Sequence, residues 1–270
     1  MPEKWPKISI LTPSYNQGKY IEQTIVSVLD QQYPNLEHII IDGGSTDDTL
    51  SVLKRYPHLK WMSEKDGGQS AALNKALSIA TGDLVGWINS DDYYANHTFD
   101  RVRRIFEDSS VAWTVMDVAN YYEETGVEKC IRSRPITYVL LLRDPDIVRQ
   151  PGTFFRATFL RSLNGWDPDL HMVMDLDLWL RLARVKAPLM VNELTAYFRI
   201  HPDQKTRPEL YLRQIREIDR VLQRNGVSRA LRFQYRAKKR FWRSKRRVRE
   251  ILTNSGLLRD SCDFRISSNV

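Results

Sequence analysis

The chain has 270 residues, 42% hydrophobic and 27% charged, with 12 glycines, 12 prolines and two cysteines, a composition that excludes a collagen-like, fully disordered or disulfide-scaffold protein. Its length fits one large domain or two small ones, with enough buried surface to fold without staples. The net charge is +8, but residues 228–250 alone carry +10 and residues 1–227 sum to −2, so the basicity belongs to a tail, and nucleic-acid binding by the main fold is not expected.

Residues 7–12 (KISILT) form a short apolar run rich in β-branched residues, a strand ending at Pro13. Ile21, Ile25, Val28 and Leu29 then recur on one face of a helix. Residues 36–41 (LEHIII) predict a second strand, stopped by Asp42-Gly43-Gly44. Ser45 and Thr46 are caps for a following helix, and Asp47 and Asp48 suit its positive end. Residues 58–62 predict a third strand, residues 69–80 a helix with Gly82 just beyond it, and residues 83–88 a fourth strand running into Asn89-Ser90-Asp91-Asp92.

Strands alternating with helices imply β-α-β units and a mostly parallel α/β sheet, whose ligands bind beyond the carboxyl ends of the strands. Three polar clusters fall at such ends: Thr12-Pro13-Ser14-Tyr15-Asn16, Asp42-Gly43-Gly44-Ser45 and Asn89-Ser90-Asp91-Asp92. Further along, residues 111–122 and 127–132 read as strands joined by a turn at Gly126, and residues 152–155 as another strand. Residues 174–185 predict a helix and residues 189–200 a late strand. Residues 208–224 predict an amphipathic helix, and residues 228–252 a second helix with an apolar stripe in a basic surround.

Asp91 and Asp92 are adjacent carboxylates at a strand end, where a hard divalent cation would relieve their repulsion; the plainer alternative is a solvated capping turn. Asp42 before two glycines suits a base or ribose, or simply a strand-to-helix turn. Residues 64–70 (EKDGGQS) offer Lys65 and a helix N-terminus to a phosphate, or form an exposed polar loop. Asp175 and Asp177, two residues apart on a helix, face different ways: one can be a base while the other caps or pairs, and both can simply complement the helix dipole. His201 is a metal-ligand or phosphate-donor candidate, or a structural histidine. No P-loop and no GxGxxG occurs, which removes the main support for a kinase or dinucleotide dehydrogenase.

Taken in order, ISILTPSYNQGKYIEQTIVSVLDQQYPNLEHIIIDGGSTDDT, EKDGGQSAALNKAL, ATGDLVGWINSDDYY, NGWDPDL, MDLDLWLRLA and YFRIHPDQ resemble the family 2 glycosyltransferases over about residues 7–205. The resemblance implies a GT-A fold: a Rossmann-like, mostly parallel central sheet flanked by helices, here with a C-terminal helical extension. The implied organisation is a catalytic domain at 1–205, its nucleotide-sugar half at about 1–100 and its acceptor half at about 101–205, followed by a basic helical extension at 206–270. Carried over, the pattern places Pro13, Tyr15 and Asp42 at the nucleotide base, and Gly68 and Gln69 beside the nucleotide or donor sugar, with Lys65 in the same segment. Asp91 and Asp92 stand at the Asp-x-Asp site that touches ribose and metal, whose usual first aspartate is Asn89 here. Trp166 and Asp167 resemble the turn before the acceptor pocket. Asp175 matches the catalytic aspartate, with Met174 where a glutamate is frequent, and His201 matches a late histidine that reaches the metal or diphosphate.

The implied reaction is inverting transfer from a nucleotide-diphosphate sugar, by family frequency a UDP-sugar, to a hydroxyl of a glycan or lipid-linked acceptor in surface polysaccharide or glycolipid synthesis. Asp175 serves as general base, and a divalent metal, Mn²⁺ or Mg²⁺, sits on the diphosphate. The alternative is a catalytically silent nucleotide-sugar-binding scaffold of a synthesis complex. The basic tail suits an anionic membrane surface or, equally, packing on the catalytic domain. No apolar run approaches the roughly 18 residues of a membrane span, the opening lacks the apolar core of a signal peptide, and two distant thiols give no sign of an oxidising compartment. The expected location is therefore cytoplasmic, with the tail as a peripheral contact to the inner face of the cell membrane.

Overall fold

The computed structural model describes residues 5–145, 147–205, 210–237 and 239–240. In the N-terminal half, β1 (Ile8–Ser14), β2 (Leu36–Asp42), β3 (Lys60–Ser63) and β4 (Leu84–Trp87) alternate with α1 (Ile21–Leu29), α2 (Thr49–Leu53) and α3 (Gln69–Ile79). β2 and β4 flank β1, β3 lies outside β2, and all four strands are parallel. Their carboxyl ends therefore share one edge, with Ser14 level with Asp42 and Asp42 level with Ser63.

All seven residues of β1 are buried, as a central strand covered on both faces requires. Its polar side chains are satisfied internally: Ser9 Oγ donates to Glu37 Oε1 at 2.5 Å, and Thr12 Oγ1 lies 2.9 Å from His38 Nε2. Burial pushes His38 down to about 3, so that ring is neutral. Ile21 and Ile25 of α1 pack with Ile40, Val52, Leu53 and Leu59, while Val28 joins Ile8, Ile10, Leu84 and Phe154 in a second cluster.

Beyond β4 come the two-residue β5 (Tyr93–Tyr94), α4 (Thr98–Ile105), β6 (Trp113–Tyr122), β7 (Val127–Ile131), α5 (Tyr138–Arg143), β8 (Thr153–Arg156), α6 (Ala157–Ser162), α7 (Met174–Val185), β9 (Leu189–Ile200) and α8 (Tyr211–Arg224). Among the described residues one sheet runs β3-β2-β1-β4-β8-β6-β9-β5, with β7 on β6. β8 is antiparallel to β4 and β6, whereas β6 and β9 are parallel with a register shift at Asp117. β5 pairs antiparallel with β9, Tyr93 opposite Tyr197, and so brings the stretch after β4 against the end of β9. α7 is anchored by Trp179, whose ring stacks 5.9 Å from those of Trp113 and Phe155.

The helix and strand at 174–185 and 189–200 form as their periodicity predicts. The capping of α2 differs: the helix begins at Thr49, Asp47 Oδ1 accepts from Thr49 N at 3.0 Å, and Ser45 turns back to donate to Asp42. Gly82 does more than end a helix. A Cβ there would lie 2.4 Å from Ser9 Oγ, so the β1–β4 packing requires a glycine.

The chain divides into two compact units, Met1–Val221 and Leu222–Val270. In the second, α8 ends in a Schellman turn, Val227 N donating to Leu222 O and Gly226 N to Gln223 O, with Gly226 at φ +75°. A helical stretch follows from Arg229, on which Phe233 is exposed. The rest of the expected tail helix, from Phe241 onward, lies outside the described residues. No helix among the described residues is long and apolar enough to cross a membrane.

Candidate active site

A cleft of about 630 Å³ opens beyond the carboxyl ends of β1, β2 and β4. Pro13, Ser14, Tyr15 and Gln17 line it from β1, Gly43 and Gly44 from β2, and Asn89, Ser90 and Asp91 from β4. Lys65, Asp66, Gly68 and Gln69 lead into α3, and Asp203 and Lys205 come from the stretch after β9. The three polar clusters at strand ends thus converge, together with the segment before α3.

The cleft walls are fixed by backbone-directed hydrogen bonds. Asn16 N donates to Ser45 Oγ at 2.7 Å, Thr46 N to Asn16 Oδ1 at 2.9 Å and Gln17 N to Thr49 Oγ1 at 2.9 Å, which staples the turn after β1 to the turn after β2. Gly68 holds φ +102° with ψ −174°, a conformation open essentially to glycine, at the N-cap of α3. A Cβ there would lie 3.3 Å from His171 Nδ1, so the loop before α7 closes on this point.

Asp42 does not present its carboxylate to the cleft. It is fully buried, and Oδ2 accepts from Gly44 N at 3.1 Å, Ser45 N at 2.8 Å and Ser63 Oγ at 2.6 Å, while Oδ1 accepts from Ser45 Oγ at 2.5 Å. These bonds build the turn on which Gly43 and Gly44 approach the cleft. Tyr15, by contrast, is 61% exposed at its rim. Ser14 and Gln17 line the cleft, and their Oγ and Oε1 atoms are buried with no hydrogen-bond partner among the described residues.

The adjacent acids part company. Asp91 lines the cleft and its Oδ2 lies 3.1 Å from His201 Nε2, a ring buried against Tyr20. Asp92 is buried beneath: its Oδ1 accepts from Arg199 N at 3.0 Å, and its Oδ2 has no partner among the described residues. Burial, and then the Asp91 charge, push the Asp92 carboxyl well above its ordinary range. Arg199 holds both in place. Its Nε donates to Asp91 O at 2.8 Å, a second nitrogen donates to Gln23 Oε1, and its guanidinium carbon lies 5.1, 5.4 and 5.7 Å from the ring centres of Tyr20, Tyr93 and Tyr121. Among the described residues, no three His, Cys, Asp or Glu side chains gather closely enough to hold an ion by themselves. Asp91 faces the cleft, and His201, its side chain fully buried, lies behind it, so Asp91 is the donor on the lining that fits a divalent cation whose remaining positions go to phosphate and water, with His201 the nearest second donor.

Asp175 opens α7, half-buried, with Oδ1 accepting from Leu176 N at 2.8 Å. Its charge and that of Asp91 both act on the Lys205 ammonium at the cleft. Asp177 is instead buried and paired with Arg181 Nε at 2.8 Å, while the Arg181 terminal nitrogens Nη1 and Nη2 donate to Leu163 O and Gly165 O. Trp166 is only 1% exposed, edge-on to Trp87, and its backbone is held from both sides by the Asn74 amide. It therefore offers no surface to an acceptor, and the expectation of a direct contact gives way to a core role. Asp167 stays at the surface beside it and accepts from Asp169 N at 2.9 Å.

Sequence reasoning missed Gln17, Asp203 and Lys205 in the cleft, and Arg199 behind it. Arg199 and Lys205 sit inside or next to YFRIHPDQ, so that motif carried the signal. Glu217 of α8 carried none: its Oε2 accepts from His171 N at 3.0 Å and Met172 N at 2.6 Å and so fixes the loop before α7.

Comparison with known proteins agrees with this architecture. The family model described as Glycosyl transferase family 2 matches residues 9–164. An uncharacterized glycosyltransferase of Mycobacterium tuberculosis is 29% identical over 192 residues, 69% of this chain and 72% of that protein. Chondroitin synthase of Escherichia coli is 28% identical over 197 residues, and the match covers 70% of this chain but only 28% of that protein. In fold, S. aureus TarS 1-349 in complex with UDP-GlcNAc superposes with a TM-score of 0.62 at 21% identity, covering 80% of this chain and 66% of that one.

Proposed function

The chain belongs to glycosyl transferase family 2, and from that premise we propose that it transfers a sugar, with inversion, from a UDP-linked donor to a hydroxyl of a glycan or lipid-linked acceptor. The observation that carries the reading is the convergence of an exposed tyrosine, the α3 N-terminus with Lys65, and Asp91, backed by His201, on one cleft. Tyr15 would stack on the base. The N-terminus of α3 with Lys65 would receive the diphosphate. TarS 1-349 with UDP-GlcNAc and the chondroitin synthase relative support a UDP-sugar and a glycan acceptor.

Asp91 and His201 are the residues that would hold a divalent ion, which when bound neutralises charge on the diphosphate. Asp175 takes the proton from the acceptor hydroxyl as that oxygen attacks the anomeric carbon from the face opposite the diphosphate. A second acid is unnecessary, because the diphosphate leaves as a stable anion. Asp177 is excluded from this role by its pairing with Arg181.

The test incubates the purified full chain with UDP-GlcNAc, UDP-glucose, UDP-galactose and GDP-mannose in Mn²⁺, and follows release of nucleoside diphosphate. One donor is expected to turn over. Asp175→Asn is expected to lower that rate about 10²–10⁴-fold, the scale of a lost general base, with UDP affinity nearly unchanged. Wild-type turnover in the variant refutes the base assignment, and tight UDP-sugar binding without turnover would instead mark a silent scaffold.

A further inference from the structure

Lys205 reaches the cleft from the stretch after β9, 136 residues away in sequence from its partner Gln69. Lys205 Nζ donates to Gln69 Oε1 at 2.8 Å, Gln69 Nε2 donates to Asn89 Oδ1 at 2.7 Å, and the same Asn89 oxygen accepts from Trp87 Nε1 at 3.1 Å. Lys205, Gln69 and Asn89 all line the cleft, so this chain of bonds runs along its wall from the β9 side, across the first residue of α3, to the end of β4. Every acceptor along it is a neutral amide oxygen. A phosphate oxygen is a far better partner for an ammonium than a carboxamide is.

The surroundings point the same way. The N-cap of α3 is Gly68, which has no side chain to cap the first turn; Asp66 Oδ1 accepts from Gly68 N at 2.7 Å, and the N–H groups that follow lie at the same end of the cleft as the ammonium. The Lys205 residue as a whole is exposed, with its ammonium held against Gln69 and desolvated there. That burial pulls its pKa down to about 8, against the opposing pull of Asp175, Glu217 and Asp91 and with help from Arg213. Position 89 is an asparagine, so no carboxylate on this chain of bonds neutralises the lysine.

We propose that Lys205 recognises the terminal phosphate of the nucleoside diphosphate, leaving Gln69 for it when the donor enters the cleft. The proposal rests on the nucleotide-sugar reading above and adds a residue from outside the N-terminal half to the diphosphate site.

Calorimetry on the full chain without divalent metal tests it, with uridine, UDP and inorganic pyrophosphate as probes and Lys205→Met and Lys205→Arg as variants. K205M is expected to bind UDP and pyrophosphate about ten-fold or more weakly while uridine is unchanged, and K205R to stay within about three-fold of wild type, as loss and retention of a charge-assisted hydrogen bond require. UDP and pyrophosphate affinities in K205M equal to wild type overturn the proposal, as does an equal loss for uridine, which would mean a deformed cleft. If wild type binds pyrophosphate in a Lys205-dependent way but not UDP, the lysine assignment stands and the uridine nucleotide reading falls. Binding of neither UDP nor pyrophosphate by wild type overturns the lysine assignment.

Discussion

Removing the Glu37 carboxylate is expected to weaken the sheet that carries the site. Glu37 lies on β2 and is 5% exposed; its carboxylate accepts from Ser9 Oγ at 2.5 Å, Thr81 N at 2.7 Å and Lys60 Nζ at 2.7 Å, with Lys7 Nζ at 3.2 Å. Burial alone would raise its pKa, but hydrogen bonds from Lys60, Ser9, Thr81 and Lys7 outweigh burial and hold it at about 2, against an ordinary 4.5. At about 1.36 kcal/mol per pH unit that gap corresponds to about 3 kcal/mol, and partial exposure of the two lysines lowers the expectation to about 2 kcal/mol. Because the folded-state pKa is the lower one, the contribution is fully present above pH 4.5 and is lost as pH falls towards 2. Urea unfolding of wild type and Glu37→Gln, followed from pH 7 to pH 3, is the assay. The variant should be less stable at pH 7, and the two curves should approach each other below pH 4.5. Equal stabilities at pH 7, or a gap that stays constant to pH 3, would refute the reasoning.

Asp91→Ala and His201→Ala are each expected to abolish the Mn²⁺ dependence of UDP affinity while leaving uridine affinity intact; titrations with and without chelator decide it, and retained Mn²⁺ dependence in both variants would remove the pair from the metal site. Gly68→Ala forces a side chain into φ +102° with its Cβ 3.3 Å from His171 Nδ1, strain of about 1–3 kcal/mol, so thermal midpoint and turnover should both fall, and a wild-type rate would show that this loop is not part of the site. Gly86→Ala places a Cβ 2.7 Å from Phe154 Cε1 and 2.8 Å from Ile10 Cδ1; overpacking of this kind costs about 1–3 kcal/mol, to be read by denaturant unfolding, and an unchanged midpoint would count against it.

The parallel half of the sheet was legible because buried strands are written as continuous apolar runs and their ends as polar clusters. The same legibility brought Pro13, Tyr15, Lys65, Gly68, Gln69, Asn89 and Asp91 to one cleft. What spacing cannot convey is which way a side chain turns after its strand ends. Asp42 folds back onto its own turn because Gly44 N, Ser45 N and the Ser45 and Ser63 hydroxyls all need an acceptor there. Asp91 and Asp92 look equivalent in sequence, but the chain turns between them and β4, with Asp92 N donating to Asn89 O at 3.1 Å, and one carboxylate goes to the cleft and one beneath it. Trp166 lies in a motif linked to the acceptor pocket, but its ring belongs to the packing against Trp87. β5, of two residues, and α5 and α6, of six residues each, are too short to leave a periodic signature.

The pairing of β5 with β9 also sets when the site can exist. Asp91 and Arg199 are 108 residues apart, as far as any ribosome product must grow after the first acid has emerged before its backbone carbonyl finds the guanidinium that fixes it. Contacts of such sequence separation form late in folding. A nascent chain that has completed β1 to β4 therefore carries nearly all the recognisable residues on a sheet edge whose acid pair still lacks its anchor. Only once the arginine on β9 docks among Tyr20, Tyr93 and Tyr121 do the two halves of the sheet share one pocket.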